Sequence, residues 1–127
     1  MNAKKQLTVL AALFALNLPL AEVYAHASHG QPQFGGVVAE AGEAQFEVVG
    51  KDGQIIVHVT NHGAPVETAG ASGKLTVLAG AAKSEVDLKP AGTNRLQGAG
   101  NLPSGAKLLL QVQLAGKKPL QARAVVH

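Results

Sequence analysis

Ala44-Gln45-Phe46-Glu47-Val48-Val49-Gly50-Lys51-Asp52-Gly53-Gln54-Ile55-Ile56-Val57-His58-Val59-Thr60 decides the fold, because two β-type runs flank one tight turn in it. Lys51-Asp52-Gly53-Gln54 is a hairpin turn: Asp and Gly tolerate the positive φ angles that two-residue turns between twisted strands require. In the return strand Ile55, Val57 and Val59 alternate with Ile56, His58 and Thr60, so the first three are expected to face a core and the second three to face out. A period of two over six residues is the signature of a half-buried strand.

The same alternation recurs on both sides at spacings near ten residues. Upstream, Val37-Val38-Ala39-Glu40 precedes the turn Ala41-Gly42-Glu43. Downstream, Asn61 to Val66 is a loop, and Glu67 to Gly73 is a weakly specified Ala/Gly-rich stretch. Strands are then expected at Lys74–Leu78, Ser84–Lys89, Arg95–Ala99, Lys107–Leu114 and Leu120–Val126, with turns at Ala79–Lys83, Pro103-Ser104-Gly105 and Gly116–Pro119. Seven or eight short strands in about ninety residues predict an all-β fold, an immunoglobulin-like antiparallel β-sandwich. An aliphatic core is expected, since hydrophobic residues make up 46% of the 127 and aromatics only 3%.

The N-terminus carries an export signal: Lys4 and Lys5, an apolar run from Leu7 to Leu20, then small residues. That run is shorter than the roughly 20 residues that span a bilayer and is interrupted by Asn17 and Pro19. Cleavage before His26, after Val23-Tyr24-Ala25, is favoured; a cut before Ser28 competes, and intact mass of the exported chain distinguishes them. No Cys follows for lipidation and no paired Arg precedes the run, so a Sec-type signal to the periplasm is expected, with no stable membrane insertion after cleavage. The expected organisation is a signal peptide over 1–25, a flexible arm over 26–36 (HASHGQPQFGG, without apolar periodicity), and a sandwich over 37–127.

Composition removes whole classes of chemistry. The absence of Cys excludes thiol catalysis, disulfides and thiolate metal sites, and Met1, the only Met, leaves with the signal. Past residue 25 the chain keeps 9 basic and 7 acidic residues, the basic ones scattered and accompanied only by Phe34 and Phe46, so no nucleic-acid surface is expected. The serines lack a nucleophile elbow, and Asp52 and Asp87 fall at a turn and on an outward strand face; no hydrolase triad is expected. Glu40, Glu43, Glu47 and Glu67 are the outward carboxylates that a half-buried sheet displays.

The histidines remain. A chain beginning at His26 offers an amine and an imidazole together, a chelating pair suited to Cu(II), with His29 three residues on. His58 and His62 form a second pair, one outward on a strand and one in the next loop, where they serve either as metal ligands or as solvated surface groups. His127 is not assigned as a ligand. The candidate metal residues are thus His26, His29, His58 and His62.

Gly98-Ala99-Gly100-Asn101-Leu102-Pro103-Ser104-Gly105-Ala106-Lys107-Leu108-Leu109-Leu110-Gln111-Val112 resembles the closing strands of small periplasmic sandwiches of the CopC, YtkA and FixH type. Phe34-Gly35-Gly36-Val37-Val38 and the stretch from His62 to Leu78 are similar to short periplasmic proteins of proteobacteria. The resemblance implies a sandwich and, through the CopC-type members, copper handling outside the cytoplasm. Those members use an N-terminal His with a downstream Asp and His; His26 matches the first, and no Asp-x-His matches the rest. The expected function is a non-enzymatic metal-homeostasis accessory protein that binds Cu(II) or another divalent transition ion, with a periplasmic or membrane protein as partner. The alternative is a metal-free interaction module docking through a sheet edge.

Overall fold

The structure, a computed structural model, describes residues 30–127. The expected signal peptide, its cleavage site, His26 and His29 lie outside the described residues. Nine antiparallel strands follow one another: β1 (Val37–Ala41), β2 (Ala44–Lys51), β3 (Gln54–Asn61), β4 (Ala64–Pro65), β5 (Ser72–Ala79), β6 (Ala82–Pro90), β7 (Arg95–Ala99), β8 (Lys107–Gln113) and β9 (Leu120–Val125). The fold is the all-β antiparallel sandwich that the alternating pattern predicts, and among the described residues there is no helix.

The hairpin at the centre of the sequence argument forms as expected. Asp52 at φ 53° and Gly53 at φ 76° make the turn, and Val48 pairs with Val57 and Phe46 with Val59 across it. A second two-residue turn follows at His62 (φ 49°) and Gly63 (φ 83°), returning the chain as the short β4. The sequence expectation had a loop here; Pro65, which cannot donate to a ladder, limits the return strand to two residues.

Strand order is β1-β2-β3-β7-β6-β5-β8-β9, with β4 beside β3. One strand belongs to both layers: β6 pairs with β5 from Ala82 to Leu88 and with β7 at Lys89 and Pro90. The two ends of the order, β1 and β9, lie beside each other, so the sandwich is close to a barrel. Gly98 is where β7 passes β6, because a Cβ there would run into the Asp87 carbonyl oxygen.

Alternate residues from both layers meet in one aliphatic core. Phe46, Ile55, Val57 and Leu96 come from one layer and Leu75, Leu108 and Leu110 from the other, all buried. Each such side chain contributes about 1.5–3 kcal/mol of transfer free energy. The Ala/Gly-rich stretch before β5 is fixed by Thr68, fully buried, whose hydroxyl lies 3.0 Å from the Arg95 carbonyl oxygen and 3.2 Å from that of Thr93. Alternation gave no sign of this anchor, since its partners are backbone carbonyls of Thr93, in the β6–β7 connection, and of Arg95, at the start of β7.

Candidate functional site

Alternation places Glu47 on the outer face of β2, between inward Phe46 and Val48, where a solvated carboxylate is expected. Instead it is 4% exposed. The chain leading into β1 crosses this face and spends three of its backbone donors on the carboxylate: Gln33 N–H donates to Oε1 at 2.7 Å, Phe34 N–H to Oε2 at 2.7 Å and Gly36 N–H to Oε2 at 2.9 Å. Charge-assisted bonds of this length are the strong kind. Gly36 permits the approach, because a Cβ would collide with the Val48 carbonyl oxygen. The last four residues of the arm expected to be flexible, 33–36, are therefore bonded to the sheet; a sequence without apolar periodicity can still be held through its peptide groups.

His58 stands directly opposite Glu47 on β3, and Arg95 opposite His58 on β7, giving a row Glu47–His58–Arg95 across three strands. Phe34 lies flat on the His58 ring, centroids 3.9 Å apart and planes 13° from parallel. Its other side is open, so the residue is 56% exposed. This strap, fastened at Glu47 and His58, is the most elaborate polar arrangement on the described surface.

Burial works to raise the Glu47 pKa, but the donors from Gln33, Gly36 and Phe34, with the charge of His58, together outweigh it and hold the carboxyl below its usual range. Burial pushes His58 below the usual imidazole value; Glu47 pulls it up, Arg95 adds to the lowering, and burial prevails. The fold thus favours ionised Glu47 and neutral His58. Their stabilisation is complete above the usual imidazole value of about 6.5. The His58 share is lost as pH falls below it, and the Glu47 share as pH falls below the usual carboxylate value of about 4.3. Amide protection factors at Gln33, Phe34 and Gly36 are expected to decline in these two stages. His58→Gln should remove the first and spare the second, and protection undiminished from neutral pH to well below the usual carboxylate range would reject the strap.

His62 occupies the exposed tip of the β3–β4 turn. Strand β3 runs on from His58 to Asn61 before that turn, a span of roughly 10 Å at 3.3 Å per residue. The turn comes after Asn61, which pairs with Ala64, and so carries His62 past the strand end. Among the described residues no three His, Asp or Glu side chains gather as a metal cage. His26 and His29, the arm pair, lie outside the described residues.

A cleft of about 410 Å³ opens at the β2–β3 hairpin end of the sandwich, lined by Gly36, Val48, Gly50, Lys51, Leu102 and His127 among others. No buried side-chain polar atom among the described residues lacks a partner, so none waits there for a ligand. Glu47 is the residue the sequence reading missed. Only its flanking by Phe46 and Val48 was visible, and that marks the strand, while the burial comes from residues 11 to 14 positions away. Comparison with family models, with curated proteins and with solved structures finds no match to this chain.

Proposed function

We propose that the chain is an exported, non-enzymatic protein of periplasmic metal homeostasis that binds Cu(II), or another divalent transition ion, through His26 and His29. The observation that carries this reading is chemical. After cleavage before His26, the terminal amine and the adjacent imidazole form a chelate, and His29 supplies a further nitrogen within a short polar segment. The resemblance to CopC-type sandwiches supports the same ion. Placement of His58 under Phe34 and of His62 at a hairpin tip favours the arm over β3 as the source of ligands.

Titration of the chain beginning at His26 is expected to show one Cu(II) per chain, with affinity reduced about tenfold or more when His26 and His29 are both replaced by alanine. Substoichiometric Cu(II) should broaden the resonances of His26 and His29 first and leave the core reporters Val57, Val77 and Leu110 sharp. Uptake unchanged by the double substitution, or broadening centred on His58, would overturn the arm site. A metal-free interaction module is the second reading, favoured by the exposure of Leu78 and Val125 on the opposite layer.

A further inference from the structure

The outer face of the β6-β5-β8-β9 layer is charged unevenly. Register places Lys83, Leu78, Lys107 and Val125 side by side across the four strands: Leu78 pairs with Lys83 and with Lys107, and Lys107 with Val125. Leu78 is 41% and Val125 52% exposed. In the next row Leu109 pairs with Arg123. The hairpin beside the first row, Ala79-Gly80-Ala81-Ala82, carries no charge at all.

Lys83 and Lys107 in this row and Arg123 in the next therefore flank two exposed aliphatic side chains; the first row contains no carboxylate, and the next carries Glu85 at the end opposite Arg123. Glu85, one row away, is already engaged by Lys74 at 3.5 Å, the only ion pair among the described residues. Lys83 and Lys107, both neighbours of Leu78, are within about one screening length of each other, and no carboxylate stands between them in the row. A second copy packed symmetrically on this face would set lysine against lysine. The complement must be anionic and able to receive aliphatic groups.

We propose that this face, at the β5–β6 hairpin end, docks peripherally on an anionic phospholipid surface, Leu78 and Val125 entering the interface and Lys83, Lys107 and Arg123 meeting phosphates. An outward strand face offers its side chains as projections. A fluid lipid surface adapts to these, whereas a folded acidic protein would need pockets of matching shape. The proposal deepens the interaction-module reading and is independent of metal chemistry in the arm.

The test uses the chain beginning at His26, which contains every described strand and lacks the apolar Leu7–Leu20 run. Co-sedimentation with vesicles of phosphatidylcholine alone, and with vesicles in which phosphatidylglycerol is about a third of the lipid, is expected to show binding only to the second, weakening as salt rises. Lys83→Glu with Lys107→Glu should reduce binding about tenfold or more. Lys117→Glu with Lys118→Glu, the same change in net charge in the β8–β9 turn, should reduce it far less. Leu78→Ser with Val125→Ser should remove the part of binding that survives high salt. Equal loss in the two charge-reversal pairs, equal binding to both vesicle types, or no binding to the anionic ones would overturn the proposal, the last leaving an acidic protein as the complement. Loss of vesicle binding with Cu(II) uptake intact separates this surface from the arm site.

Discussion

Truncating Phe46 to alanine is expected to lower the free energy of unfolding by about 3–5 kcal/mol. Phe46 is fully buried and is the one aromatic side chain of the core, set between Ala39 of β1 and Val59 of β3. The lost transfer free energy is only part of the cost. Ala39 is too small to move into the vacated space, and the β-branched Val59 has little χ1 freedom with which to follow, so the cavity persists. For a domain of about one hundred residues, whose whole stability is of order 5–15 kcal/mol, that is a large share. Urea denaturation should show a lower midpoint at an unchanged slope, because the surface exposed on unfolding hardly changes. A loss below about 1 kcal/mol would mean that the core collapses around the deletion and that Phe46 is not its centre.

Glu47→Ala is expected to cost about 2–4 kcal/mol, because three charge-assisted hydrogen bonds disappear together. The sum is capped, since residues 33–36 can lift away and hydrate their peptide groups once the acceptor is gone. Amide exchange should show this directly, with protection at Gln33, Phe34 and Gly36 lost and that of Val57 or Leu110 kept. Glu47→Gln should fall between wild type and alanine. Its one carbonyl oxygen can still accept from Phe34 and Gly36, whereas its amide nitrogen would face the Gln33 donor. Stability of Glu47→Ala equal to wild type would show that the strap contributes nothing and merely rests on the sheet.

The contrast between these two residues shows what the sequence made legible. Phe46 and its inward companions follow from a period of two, a property of consecutive residues, and the Asp52-Gly53 turn follows from the backbone freedom of that pair. Such signals are local, which is why the strands were found to within a few residues. Glu47 and Thr68 are buried by partners that arrive from elsewhere in the chain, through backbone groups that any residue possesses, and no pattern of side chains encodes that. The His62-Gly63 turn lay between these cases. Its dipeptide signal was present, but Pro65 two positions later obscured the return strand.

The strand order has a kinetic consequence. Six of the eight ladders, β1–β2, β2–β3, β3–β4, β5–β6, β6–β7 and β8–β9, join neighbours in the chain and can zip from their turns. The ladders that join these pieces, β3–β7 and β5–β8, match residues such as Val57 with Leu96 and Leu75 with Leu110, about 40 and about 35 positions apart. Loop entropy must be surrendered before either contact gives anything back, which places the chain among slow β-folders, with times of milliseconds to seconds. Until β8 docks on β5, Leu75 and Val77 have no cover from that strand. A newly made chain therefore passes through an interval in which its aliphatic strands stand open to other chains, and its speed of closure governs its escape from aggregation.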